Sequence, residues 1–477
     1  MVTFYWGSPA FSQLTKIGWP GTTWSTPSMQ TLIFYNSDQS ANRVYIERLL
    51  NAYYNIYPQQ LGNRLLNYYP DAAAAYDLQL LDEFYTGAAI NVRRGMDNAT
   101  LDVGFYLNEL DTAALEAFCN PNTVVYQSDF TAGNEDLSEF NGTGTDGETI
   151  AGVSDCYKFE LTNGSSTHQT LIIVPEDNAK YSMTFDYYIP STNAKIDGIT
   201  ITPALGGGSH KVNVTDQWTT ATLDLEVPDG NLPRVRIFPT QGSTYVGIDA
   251  DGDVFYLKNI TITQLTSNGY VTVWYDQSGN GNDATQTVSS SQPKIVNNGS
   301  VLLKNGKPSI DFGGTGYLET VDTTVDLNIE QIQMVAYNDI QITSTTSMQQ
   351  ILKTYGAAGY EGIALGLATG SLTNETFTIF NDTAARDAIT NTIDIDLHLF
   401  TADWDGSKHN IYLDGVLGSY ISTGTPVQLN SRQITIGSRS GSFNFFGSVS
   451  CFVAYSSDQS ANRTGIEQII NNNYNIY

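Results

Sequence analysis

Positive charge is scarce in this sequence. Its 22 Lys and Arg stand against 49 Asp and Glu, and 22 − 49 gives −27. No basic patch of useful size can be drawn, which argues against nucleic acid and anionic membrane surfaces as partners. Charge of either sign is sparse, at 15% of residues, so Asn, Thr, Ser, Gly and Tyr supply the polar surface. That texture suits an all-β protein working outside a cell or on a particle. Cysteine is nearly absent. Cys119, Cys156 and Cys451 are too few and too scattered for a disulfide framework, and an odd number leaves one free. His168, His210, His398 and His409 show no metal-ligand spacing, which argues against a zinc site. No apolar run reaches the roughly 18 residues a membrane-spanning helix needs. The opening "MVTFYWGSPAFSQLTK" has no basic start followed by an apolar segment, so no secretory signal is expected.

What is present is a succession of short strands. From Val271 onward, runs such as "VTVWYD", "PSIDFGG", "QIQMVAYND", "LHLFTADWDG" and "SCFVAYS" are punctuated by Gly, Asn and Asp. Strands at this spacing with turn signals predict a β-sandwich. In "HNIYLDGVLGSY" the residues Ile411, Leu413 and Val416 alternate around Asp414-Gly415, a pair suited to a type I′ hairpin turn. The closing "SANRTGIEQIINNNY" predicts a helix with Ser460 as cap and Ile466, Ile469 and Ile470 as its apolar face. Earlier, "PDAAAAYDLQLLDEFYTG" predicts a helix started by Pro70 and Asp71, with Ala74, Leu78 and Leu81 on one face. A second short helix, "LDTAALEAF", takes Asp111 as its cap. Between Asn120 and Ser267 the texture changes to regularly spaced strands, many halted by Pro, which would make a separate antiparallel sandwich.

"YTGAAINVRRGMDNATLDVGF", then "LDTAALEAFC", and much later "GYVTVWYDQSGNGNDATQ" form a series. The series resembles the start of the catalytic domain of fungal-type α-L-arabinofuranosidase B, a concanavalin A-like sandwich. In that family the last two elements are near neighbours, whereas here the strand-rich block separates them. The block is therefore expected to be an insertion whose ends lie close in space. With "DQWTTATLDLEV" and "GDVFYLKNITIT" it is similar in texture to carbohydrate-binding modules. "KPSIDFGGTGYLET" and "FTADWDGSKHNIYLDGVLGS" resemble the laminin G or concanavalin A-like lectin fold. Combined with "YSSDQSANRTGIEQIINNNYNIY", they resemble structural proteins of tailed bacteriophages.

The expected architecture is all-β: a concanavalin A-like jelly-roll sandwich of residues 70–121 and 267–477, with a few short helices. A carbohydrate-binding-like sandwich, 122–266, is inserted in it, and 1–69 forms an N-terminal anchoring or oligomerisation segment. That segment is marked by a repeat, because "YNSDQSANRVYIERLLNAYYNIY" at 35–57 nearly duplicates 455–477. Residues 1–57 thus resemble the last strands and helix of a sandwich without its first half. Three roles are open to them: packing on the following domain, completing a sheet in a neighbouring copy, or docking on another virion protein.

The arabinofuranosidase resemblance implies a carboxylate nucleophile and a carboxylic acid, yet neither characteristic stretch is present. Glu361 in "GYEGIALGLATGS" has no placeable partner, and Asp394 with Asp396 in "TIDIDLH" lack a Glu, so hydrolysis is not expected. Sugar stacking could fall to Trp218, Tyr187, Tyr188 or Tyr245, although Trp218 is better suited to start a strand and pack in the core. Asp276 and Asp283 in "WYDQSGNGNDATQ", and Asp249, Asp251 and Asp253 in "DADGD", could hold Ca²⁺. A structural loop and a hairpin turn are the readings favoured for these two stretches. Arg93 and Arg94 suit either salt bridging or contact with a sugar acid. An extracellular texture without an export signal points to release by lysis, as phage particles are released. The expected protein is a head or tail fibre or capsid decoration, on the virion surface. It would be homo-oligomeric, attached through 1–57 to other virion proteins, and adhere to host or mucosal surface glycans. A glycan-degrading hydrolase is the alternative.

Overall fold

A computed structural model describes residues 64–131, 137–162, 169–203, 208–242, 244–245, 252–320, 327–338, 348–355, 364–368, 376–381, 385–388, 395–404, 409–418, 429–431, 433–438 and 444–477. All of them belong to the compact unit Arg64–Tyr477. The repeat at 35–57, and with it the expected anchoring segment, lies outside the described residues.

The host domain is a β-sandwich. One sheet runs in the order Ala72–Asp77, Gly447–Tyr455, Gln331–Asn338, Leu397–Trp404, His409–Leu413, all antiparallel. The other begins Thr100–Val103, Ile90–Arg94, Gly269–Trp274 and continues through Ala284–Thr285, Leu318–Thr320, Gln433–Ile436 and Met348–Tyr355. Tyr76, Trp274, Phe312, Met334, Ile434 and Phe452 meet in the core between them. The first sheet is buried on both faces, because a helical layer covers its outside. Cys451, Val453 and Tyr455 point out to Leu65, Ile466, Ile470 and Tyr474, while Phe452 and Ala454 point in. Burial on both faces explains why all nine residues of 447–455 are buried and why 451–455 reads as an unbroken apolar run. Leu65–Tyr68, expected to belong to the N-terminal segment, is part of this helical layer.

Several expectations are met at residue level. Asp414 and Gly415 both have positive φ, at 52° and 75°, as a type I′ turn requires. Asp111 caps the helix Thr112–Cys119, its carboxylate accepting from the Ala114 N–H at 3.0 Å. The C-terminal helix, Arg463–Tyr474, buries Ile466, Ile469 and Ile470. Ser460 is not its cap, however. Asn462 occupies that position, its side chain turned back to Gln459 rather than capping the helix, and the stronger lock is at the other end. There the Asn471 carboxamide accepts from the N–H groups of Ile476 and Tyr477 and donates to the Tyr477 carbonyl.

The stretch expected as the first helix is instead the strand Ala72–Asp77, all six residues buried. Alanine favours helix, but the position decides: sandwiched between the core and the helical layer, the strand has room only for small side chains on most of its length. One edge pairs with Gly447–Tyr455. The loop 276–282 covers the other. Ala75 donates to the Asp276 carboxylate and accepts from the Gln277 N–H, while Asn280 and Asn282 donate to the carbonyls of Ala72 and Ala73.

Strands from Thr123 to Gln264 form two six-stranded antiparallel sheets of their own. One has the path Thr219–Val227, Ala179–Tyr188, Val254–Gln264, Val153–Leu161, Gly142–Ile150, with Thr123–Ser128 also on Val254–Gln264. The other is His210–Val212, Gly198–Pro203, Arg234–Gln241, Gln169–Ile173, Ser138–Phe140, with Thr244–Tyr245 also on Arg234–Gln241. Phe159, Met183, Phe185, Ile199, Ile237 and Phe255 fill the space between the sheets. The chain leaves the host at Asn120 and returns at Ser267, whose N–H donates to the Cys119 carbonyl at 2.7 Å.

Candidate functional site

Strand parity sorts the expected aromatic residues. Along Ala179–Tyr188 the odd-numbered residues enter the core of the inserted sandwich and the even-numbered ones face outward. Tyr187 is therefore a core residue, 2% exposed, its hydroxyl accepting from the Val214 N–H. It is withdrawn as a sugar platform. Tyr188 faces outward and lies opposite Tyr256 in the ladder, with ring centroids 6.2 Å apart. Trp218, just before Thr219–Val227, leans on the other side of Tyr188 at 5.7 Å. Its indole N–H donates to the Ile150 carbonyl at 3.2 Å. Trp218 thus does not enter the core; it is half-buried on the outer face, as is Tyr256. Tyr188 is the wedge between them, only 9% exposed, so it supports the two rings and is withdrawn as a sugar platform itself. Tyr245 lies on the strand Thr244–Tyr245, and its side chain is outside the described residues.

Polar groups continue this face. Lys158, opposite Tyr256 on the next strand, pairs with Glu160 at 3.2 Å and Glu148 at 3.7 Å. Asp186 accepts from the Thr220 hydroxyl at 2.5 Å and the Asn259 amide at 2.7 Å. Tyr256 was not singled out from sequence, yet the alternation could have found it. Phe255 and Leu257 point inward, so the residue between them must point out. The arrangement presents ring faces beside fixed donors and acceptors. A pyranose has one face of C–H bonds that stacks on an aromatic π-face and a rim of hydroxyls that needs hydrogen-bond partners.

Three of the carboxylates considered for Ca²⁺, Asp276, Asp283 and Asp253, accept hydrogen bonds from the backbone. Asp276 is buried and accepts from the N–H groups of Ala75, Ser278 and Asn282 and from the Ser278 hydroxyl. Asp283 accepts from the Asp276 N–H at 2.8 Å. Asp253 accepts from the N–H groups of Ala194, Lys195 and Ile196. Asp249 and Asp251 lie outside the described residues, as do Glu361 and Asp394. Among the described residues no group of three or more His, Cys, Asp or Glu is placed to hold a metal ion. Asp396 is exposed and accepts from the Leu397 N–H. Arg94 forms an ion pair with Asp97 at 2.6 Å, whereas Arg93 lies over the Tyr270 ring.

A buried carboxylate stands at the junction of the two domains, beside bonds from Asn178 to Asn297 and from Asn298 to Glu226. Glu176 accepts from the side chains of Gln264, Ser267 and Asn268 and from the Asn268 N–H. Burial pushes its carboxyl above the ordinary range, and these hydrogen bonds oppose the rise. Beside it opens a cleft of about 620 Å³ lined by both domains. The aromatic face is far from this junction. Ala179 begins its strand near the junction and Tyr188 ends it ten residues on, roughly 30 Å away at a strand's rise per residue.

No protein-family model matches the chain, and no curated protein does. Similar solved structures include a GH54 α-L-arabinofuranosidase soaked with a cyclic sulfate inhibitor, at 12% identity and TM-score 0.41, covering 86% of this chain. The chain spans 65% of that enzyme's length. They also include the CBM22-1 xylan-binding domain from Paenibacillus barcinonensis Xyn10C, at 12% identity and TM-score 0.22, covering 30% of this chain and 96% of that one. A family 29 carbohydrate-binding module is similar at 14% identity and TM-score 0.20, covering 30% of this chain and 91% of that one.

Proposed function

We propose that this chain is a glycan-binding protein that displays its inserted sandwich for adhesion. The observation that carries the reading is the pair of half-buried rings Trp218 and Tyr256 on the outer face, packed on the buried Tyr188 and set beside Lys158 and Asp186 at the end of the strand Ala179–Tyr188 away from the host junction. A ring platform at a distal tip suits contact with a surface polysaccharide. Single sites of this kind bind weakly, and many copies on one particle make the attachment strong. The test is a glycan microarray probed with the wild-type chain and with Trp218→Ala. Removing a central aromatic anchor costs about 2 kcal/mol, roughly thirtyfold in affinity, so the signals of the glycans held on this face should fade. Equal signals from both proteins would sink the reading.

The particle we assign it to is a tailed phage, as a fibre or decoration component. Support comes from the sequence: an extracellular composition and the duplicated 35–57 and 455–477 stretches. Immunogold electron microscopy with antibody to 122–266 tests this; gold at a fixed place on particles supports it, and protein found only in the free lysate contradicts it. The reading is of binding without bond cleavage. Release of reducing sugar from arabinan or xylan by the purified chain would overturn that part.

A further inference from the structure

The cleft between the domains has two chemically opposite walls. On the host side Arg93 and Lys294 lie over the ring of Tyr270, at 4.8 Å and 5.9 Å from its centroid. On the inserted side Asp177 and Asp229 line the same cleft. The carboxylates are close enough to act across it: together with burial, which is the main cause, Glu176, Asp177 and Asp229 push the Tyr270 phenol up to about 12. Yet among the described residues no ion pair joins Arg93 or Lys294 to Asp177 or Asp229.

The walls are held in place. Arg93 donates through Nε to the Gln292 carboxamide at 2.6 Å and through Nη1 to Asn98 at 2.9 Å, which fixes the guanidinium and leaves Nη2 to reach a ligand. Asp177 accepts from the Gly230 N–H at 2.9 Å, tying together the two loops that carry Asp177 and Asp229. Glu176, next in sequence, anchors this wall to the returning chain at 264–268. A volume of about 620 Å³ at a domain junction suits a small ligand.

We propose that this cleft is a second saccharide site, separate from the distal aromatic face, for a neutral oligosaccharide. A hydroxyl donates and accepts at once, so a row of hydroxyls satisfies an acceptor wall and a donor wall together. A ligand of net charge gains at one wall and loses at the other, whereas a neutral polyol gains hydrogen bonds at both. The site does not use Trp218 or Tyr256 and stands without them.

Isothermal titration of the full chain carrying Trp218→Ala, against cellohexaose, xylohexaose, arabinohexaose and hexagalacturonate, tests it. At least one neutral hexasaccharide is expected to bind at one site per chain, and hexagalacturonate is not. Adding Asp229→Asn should weaken that binding about tenfold or more, as loss of a charge-assisted hydrogen bond does. Asp229 sits in an exposed turn, so the variant should fold, which circular dichroism checks; Arg93→Gln probes the opposite wall in the same way. Binding of hexagalacturonate alone, no binding by any neutral sugar, or binding unchanged by both substitutions overturns the proposal. Failure of the distal reading is distinguishable by stoichiometry: the wild-type chain would then show only the one site that Trp218→Ala also shows, whereas a working distal face adds a site that the substitution weakens.

Discussion

Asp77 gives the sharpest quantitative test of the fold. It ends the strand Ala72–Asp77 under the C-terminal helix, 1% exposed. The Tyr474 hydroxyl donates to its carboxylate at 2.5 Å and the Gln79 N–H at 2.7 Å. Burial outweighs these bonds, and its pKa is pushed from 3.8 to about 7. The folded protein therefore holds a proton that the unfolded chain releases near pH 4. The stabilisation is complete below 3.8 and is lost as pH rises through about 7. From 3.8 to about 7 is about 3 pH decades; at about 1.36 kcal/mol each, the loss is about 4 kcal/mol. Asp77→Asn keeps the shape and removes the titration. Its stability relative to wild type should climb with pH, the gap at pH 8 exceeding that at pH 4 by about 4 kcal/mol. Thermal melts by near-ultraviolet circular dichroism, compared pH by pH for the transition that the substitution moves, measure this. Glu176 also titrates high, but it is common to both proteins and cancels. A gap that does not change with pH would refute the argument, because Asp77 would then be ionised throughout.

Three other outcomes follow from the packing. Glu176→Ala removes the buried acceptor shared by Gln264, Ser267 and Asn268, leaving their side-chain donors only backbone carbonyl contacts, and should cost about 3 kcal/mol, with faster amide exchange at 264–268; unchanged exchange would contradict its anchoring role. Gln277→Ala removes bonds to the Leu81 N–H and to the carbonyls of Asp77 and Gln79, so exchange protection should fall along 72–81 and hardly at all in the inserted sandwich. A side chain on Gly95 would place Cβ 2.0 Å from the Glu176 carboxylate, so Gly95→Ala should destabilise wild type more than it does Glu176→Ala, a coupling that a double-mutant cycle in urea measures.

Local chemistry was legible where one residue decides a conformation. Asp414-Gly415 needs positive φ, and Asp111 supplies a helix's missing acceptor, so both could be read from sequence. The change of texture between Asn120 and Ser267 likewise marked a region that forms its own two sheets. What was not legible depends on neighbours distant in sequence. Ala72–Asp77 carries a helical pattern, and only two covering layers and the loop 276–282 make it a strand. That same loop reads as structural, with calcium as its alternative, because an exposed sheet edge and a cation both call for oxygen- and amide-rich side chains. Which edge it covers was what the sequence could not show. Two adjacent tyrosines, Tyr187 and Tyr188, cannot both face outward from one strand, so one of them had to be core.

The central claim, that sugar is held on Trp218 and Tyr256, is tested most directly by a crystal structure of the chain soaked with the neutral oligosaccharide that gives the strongest array signal. The account predicts a sugar ring stacked on one or both aromatic faces, with hydroxyls within hydrogen-bonding distance of Lys158 or Asp186. Clear density for the sugar elsewhere, with Trp218 and Tyr256 bare, would contradict it.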